Sequence, residues 1–177
     1  IRYLRLHSQE LGIDPSRIGA IGFSAGGHLA TLLAAAPEAS GLDDGCPYQG
    51  TSPALQSVVS YYGPYDLTRR QDFVRRAQRL IDRLTEGANE ERSRLLSPLH
   101  HLDASDPPML LIHGERDRVV PPQQARLMRA ALRRHGIPHR LLIVPTGGHG
   151  FTLLTESDAF LAAQCTTFAF LQRSLGV

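Results

Sequence analysis

Short apolar runs of strand length alternate along the chain with segments in which apolar positions return at helical spacing. Four runs read as strands: 17–23 (RIGAIGF), 55–62, 108–113 (PMLLIH) and 140–145 (RLLIVP). A first helix is expected over 1–11, with Leu4, Leu11 and Tyr3 inward and Gly12 as its stop. The segment 25–36 (AGGHLATLLAAA) is a strong helix former beyond its two glycines, and Pro37 ends it. Strand passes directly into helix at Ser24.

From 67 to 84 the pattern is amphipathic, with Phe73, Ala77, Leu80, Ile81 and Leu84 on one face and six arginines over much of the rest. The segment 121–135 carries the clearest helix boundaries, with Pro121 at its start, Arg133, Arg134 and His135 in its last turn and Gly136 beyond. A last helix opens at Thr155, with Asp158 as a capping-box partner and Phe160, Leu161, Cys165, Phe168, Leu171 and Leu175 inward. Between 37 and 53 lies a loop rich in Gly, Pro, Ser and Asp. Strands separated by helices are the pattern of an α/β fold: here a four-stranded parallel sheet in chain order, flanked by helices on both faces.

Composition narrows the function. With 177 residues, 42% of them hydrophobic, the chain forms one core and one domain over 1–177. The 19 basic residues, all arginine, exceed the acidic ones by only two, which argues against a nucleic-acid partner. No stretch has the roughly 18 apolar residues of a membrane span, and Ile1-Arg2-Tyr3-Leu4-Arg5 has no secretory apolar core, so a cytoplasmic location is expected. Cys46 and Cys165 are expected to be buried free thiols.

The chemistry centres on Gly22-Phe23-Ser24-Ala25-Gly26, a G-x-S-x-G sequence between an apolar strand and a helix. A turn this tight requires small residues at Gly22 and Gly26, and it lifts the Ser24 hydroxyl to the carboxyl end of the strand. The Ala25 amide, in the first turn of the helix, is aimed at any oxyanion formed there. Gly22, Phe23, Gly26 and His28 are expected to border the substrate. Serine needs a base, and among eight histidines His149 is best placed, in the glycine-rich loop after the fourth strand. The base needs an acid. Asp117, in the loop after the third strand, is preferred to Glu115 because it lies deeper in the loop, just before a helix, and Asp66 is held in reserve. His113 reads as part of a structural turn, and His100-His101 as neighbours pointing apart, so no metal or cofactor is implied.

The runs RIGAIGFSAGGHLA, HGERDRVVP and GGHGF, each after a strand, resemble the α/β-hydrolase superfamily, in particular its bacterial acetyl-esterase, acetylxylan-esterase and lipase-like carboxylesterases. The resemblance implies Ser24 as nucleophile, Asp117 as acid, His149 as base and the Ala25 N–H as an oxyanion donor, acting on short-chain acyl or acetyl esters of small molecules. It also implies a small lid over 67–96. Members carry a His-Gly-Gly loop and further strands ahead of this turn, so the chain matches the later part of that fold, N-terminally truncated. Strand 17–23 would then be a bare apolar edge, which predicts homodimerisation through it. A serine peptidase of the prolyl-oligopeptidase type shares this order of residues, and an inactive remnant of a hydrolase is the remaining alternative.

Overall fold

The computed structural model describes residues 1–36, 38–153 and 158–176. Its helices are α1 (Arg2–Leu6), α2 (Ser8–Leu11), α3 (Ala25–Ala35), α4 (Arg75–Leu84), α5 (Glu90–Leu95), α6 (Gln123–Arg134) and α7 (Asp158–Leu175). The strands β1 (Gly19–Phe23), β2 (Ser57–Tyr61), β3 (Met109–Gly114) and β4 (His139–Val144) form one parallel sheet in the order β1-β2-β3-β4. Registers such as Gly22↔Ser60, Ser60↔Leu111 and Leu111↔Leu141 align the carboxyl ends of all four strands along one rim. The fold class expected from the alternating pattern is the one observed.

Side-chain alternation along β3 divides the core in two. Met109 and Leu111 pack with Val58, Ala30, Ala35, Met128 and Leu132, beneath α3 and α6. Leu110 and Ile112 point the other way and pack with Val59, Tyr61, Val144 and Ala163, beneath α7. β2 and β3 are buried throughout, as strands covered on both faces must be. α6 stops where its sequence signals place it: Gly136 adopts φ 71°, a left-handed conformation that glycine takes without steric cost.

Four expectations fail for physical reasons. The helix over 1–11 breaks at His7, and Tyr3, Leu4 and Leu11 are exposed while Arg2 and Ser8 are buried. This segment packs on the polar stretch 38–54: Arg2 donates to the Thr51 carbonyl (2.8 Å) and to Asp43 (2.6 Å), and Arg5 to the Ala54 carbonyl (2.8 Å). The amphipathic helix begins at Arg75, because Leu67–Asp72 is a tight 3-10 turn opened by Asp66 accepting from the Thr68 amide (3.1 Å). Its Phe73 and Ile81 are buried and its Leu80 and Leu84 exposed. In α7 the fully buried positions are the small residues Ala163 and Thr167, and Ala159, Phe170 and the expected Leu171 pack against the same cluster, whereas Leu161, Cys165 and Phe168 face outward. Thr167 can be inside because its hydroxyl pairs with the Tyr61 hydroxyl at 2.6 Å. Thr155 lies outside the described residues. Both cysteines are free thiols as expected, yet both are exposed.

Candidate active site

The aligned strand ends bring four loops together at the rim. Ser24 follows β1 and opens α3 at φ 52°, ψ −119°, a strained conformation for a residue with a side chain. The turn is fixed at both ends: the Ser24 amide donates to the Tyr61 carbonyl (2.9 Å), and the His28 amide to the Ser24 carbonyl (3.1 Å). The Ser24 hydroxyl does not cap its own helix. It lies 2.9 Å from His149 Nε2. The Ala25 amide is one of the first-turn N–H groups that helix geometry leaves without a partner within the helix, and Ala25 is exposed.

The steric reading of the glycines needs one correction. A Cβ on Gly22 would lie 2.1 Å from the Gly26 carbonyl oxygen, and one on Gly27 2.6 Å from Ser60 Oγ, but one on Gly26 would meet nothing within 4 Å. The turn therefore excludes bulk at Gly22 and Gly27, and Gly26 contributes the backbone that Gly22 must clear.

His149 Nδ1 donates to Asp117 Oδ2 at 2.8 Å. That bond assigns the tautomer, because a carboxylate only accepts; Nε2 is then the acceptor facing Ser24. Asp117 Oδ1 accepts from the Val119 amide (2.8 Å) and the Val120 amide (2.9 Å). Burial by itself would push the Asp117 carboxyl up. Hydrogen bonds from His113, His149 and the Val120 and Val119 amides outweigh it and hold the carboxyl far below the usual carboxylate range. The two loops carrying these side chains touch through their backbones. The Arg116 amide donates to the Gly147 carbonyl (2.9 Å), and a Cβ on Gly114 would lie 2.3 Å from that oxygen.

The other candidates are placed as follows. Glu115 is exposed and pairs with Arg126 (2.6 Å), and Asp66 binds Thr68 and lies 3.4 Å from His100, so neither is bonded to His149. Gly22 is buried in the turn, while Phe23 is 48% exposed and stacks on Tyr61. His28 is buried; its Nε2–H donates to the Leu96 carbonyl (2.6 Å), and burial pushes the imidazole down. Among the described residues no group of three or more His, Cys, Asp or Glu side chains converges as a metal cage would require.

Tyr62 was not singled out by the pattern. It follows β2 at φ 41°, sets its ring edge-on to His149 at 4.9 Å between centroids, and bonds Thr152 through its hydroxyl at 2.6 Å. Its sequence signal was only that it ends an apolar run.

A parallel sheet with this turn, and with a serine–histidine–aspartate hydrogen-bond chain at its carboxyl rim, defines an α/β-hydrolase. Comparison with known proteins makes the assignment particular. The chain belongs to the BD-FAE family, whose model matches residues 1–132. It is 33% identical over 165 residues to the probable carboxylic ester hydrolase LipM of Mycobacterium tuberculosis, covering 90% of this chain and 38% of LipM. A thermophilic esterase of the Planctomycetes species Thermogutta terrifontis superposes with a TM-score of 0.81 at 27% identity, over 97% of this chain and 60% of that one. That esterase has also been solved with butyrate bound. A shorter match, 36% over 88 residues, joins 50% of this chain to 12% of dipeptidyl-peptidase 5 of Porphyromonas endodontalis. The chain spans about two fifths of the length of the curated esterases it matches. No helix among the described residues is long and apolar enough to cross a membrane.

Proposed function

We propose that this chain carries the acyl-transfer machinery of a serine carboxylic-ester hydrolase acting on short-chain acyl or acetyl esters. The observation that carries the reading is the unbroken chain Ser24–His149–Asp117, with links of 2.9 and 2.8 Å. His149 Nε2 takes the Ser24 proton as Oγ attacks the acyl carbon, and the oxyanion meets the Ala25 N–H and the positive end of α3. The intermediate collapses, the alcohol leaves with the proton from His149, and water activated by the same imidazole releases the acid. Asp117, already held as a carboxylate, fixes the imidazole and balances its transient positive charge. The butyrate-bound Thermogutta relative supports a short acyl group.

Segment 67–96 is read as a small lid. Its two ends are tied together by the Leu67 amide donating to Ser97 Oγ (2.8 Å), and to α3 through His28. The edge of β1 is read as the surface through which a second copy pairs.

Fluorophosphonate labelling of the 177-residue chain, mapped by mass, tests the machinery. Labelling is expected at Ser24 and is lost in Ser24→Ala and His149→Ala variants with unchanged circular dichroism. A folded parent chain that takes no label would overturn the reading and leave the inactive-remnant alternative. The match to dipeptidyl-peptidase 5 favours a second reading, a serine peptidase; matched ester and aminoacyl-amide substrates separate the two.

A further inference from the structure

His113, at the end of β3, has no role in the relay described above, yet it is completely buried against the acid. Its Nε2 lies 2.9 Å from the Val120 carbonyl oxygen and 3.4 Å from Asp117 Oδ2, the same oxygen that receives His149 Nδ1–H. Its other nitrogen, Nδ1, has no hydrogen-bond partner among the described residues. These contacts decide the protonation. Nε2 faces two acceptors and must carry the proton, whereas a proton on Nδ1 would be a buried donor with nothing to receive it. The Nε2–H therefore bonds the Val120 carbonyl at 2.9 Å, with the acid as a longer second acceptor at 3.4 Å.

We infer that His113 is a positioning residue for the esterase reaction: its Nε2–H is the second imidazole donor to Asp117 Oδ2 and holds the carboxylate in line with His149. This rests on the relay assigned above. The carboxylate is enclosed on every side, with the Val119 and Val120 amides on Oδ1 and the two imidazoles on Oδ2. His113 also closes a ring in the loop, since it grips the Val120 carbonyl while the Val120 amide grips Asp117. The side chain thus couples the path of residues 113–120 to the aim of the acid. An aliphatic or aromatic residue would fill the same buried space without leaving a nitrogen unpaired, so packing alone does not account for a histidine.

Among the described residues, the titratable groups in contact with the carboxylate or with the ring it orients are His113 from β3, His149 from the loop after β4 and Tyr62 from the end of β2. Removing the His113 donor leaves a more basic carboxylate, which holds a proton on His149 more firmly. The acid limb of Ser24 reactivity then moves to higher pH.

The test compares the parent with His113→Phe, which keeps a ring and loses the donor, and His113→Gln, whose Nε2 is as many bonds from Cβ as that of histidine. Fluorophosphonate labelling rates are read against pH. In His113→Phe the acid limb is expected to move up by about one pH unit and the plateau rate to fall about 10- to 100-fold, both within the worth of one hydrogen bond to a charged group. His113→Gln restores the limb. A folded His113→Phe whose limb and plateau match the parent overturns the inference. Nitrogen-15 spectra of the parent's imidazoles give a readout that does not depend on labelling: His113 should carry its proton on Nε2, and the His149 Nδ1–H resonance should shift in His113→Phe. A proton on His113 Nδ1, or an unmoved His149 resonance, overturns it as well. Failure of the parent to label, with those spectra as expected, would overturn the relay assignment and leave the His113 contact standing.

Discussion

The acid–base side of the site and the serine side are built to different standards of enclosure. β3 and the acid after it are sealed, although the rest of that loop is open: all six residues of the strand are buried, Asp117 is 5% exposed, and its carboxylate is held by donors on both oxygens. β1, which delivers Ser24, is an edge strand with Ile21 and Phe23 about half exposed, and Leu29 on the adjoining helix is 61% exposed. What the two sides share is backbone-to-backbone contact at glycine, Gly114 against Gly147 and Gly22 against Gly26. The difference shows where precision resides. The acid is locked by hydrogen bonds and burial, whereas Ser24 is held by a strained turn that needs little cover.

Adding a methyl group where backbones meet should break that comparison most severely. Gly114→Ala places a carbon 2.3 Å from the Gly147 carbonyl, and Gly22→Ala one 2.1 Å from the Gly26 carbonyl. Each should cost about 3 kcal/mol or more, since backbone on both sides cannot yield as a side chain would. Gly26→Ala meets nothing within 4 Å and sits in a helix, so it should stabilise by about 0.5–1 kcal/mol. Urea denaturation of the three variants checks all of this. A Gly26→Ala cost equal to that of Gly22→Ala would refute the steric account of the turn.

Acid should distinguish the sealed side next. Asp117 has its folded value below the unfolded one, so the stability it contributes is complete at neutral pH and is lost as pH falls below about 4. The stability deficit of Asp117→Asn should therefore shrink on acidification. Asp106 is opposite in sign: partial burial raises its carboxyl from 3.8 to about 6, so the folded state carries a penalty above pH 6 that disappears between 6 and 3.8. Asp106→Asn should stabilise at pH 7 and do nothing at pH 3.5. Paired denaturation curves at these pH values read both signs.

The smallest effect in stability should come from the exposed edge. Ile21→Lys should change unfolding free energy by about 0.5 kcal/mol or less, as exposed substitutions do, while reducing self-association in sedimentation velocity. An association state that does not respond would remove the β1 edge as the pairing surface.

Much of this was legible in the sequence because it depends on local rules. Strand positions followed from apolar runs, the stop of α6 from its arginines and Gly136, and the convergence of Ser24, Asp117 and His149 from their places after three strands, β1, β3 and β4, of one parallel sheet. What was not legible depends on which face finds a neighbour. The periodicity of α7 offered Phe168 and Cys165 as inner residues, but the positions that the sheet buries fully are the small Ala163 and Thr167, with Phe170 and Leu171 packed partly against it. Arg2 is buried because of acceptors about fifty residues away, at Asp43 and Thr51, which no helical spacing announces. Tyr62 and His113 were unreadable for a related reason. Tyr62 meets His149 across the rim and His113 turns back on Asp117 four residues on, yet each looks from its own strand like one more residue at the end of an apolar run.

The edge-on contact of Tyr62 with His149 also gives the molecule an optical reporter. The chain has no tryptophan and only five tyrosines, so its near-ultraviolet absorbance is a sparse signal. One of those five chromophores rests against the imidazole and is tethered by its hydroxyl to the loop that carries it. Any event that charges or displaces His149 perturbs Tyr62 directly, so the acylation proposed for Ser24 would have a spectroscopic readout without a dye or an introduced probe.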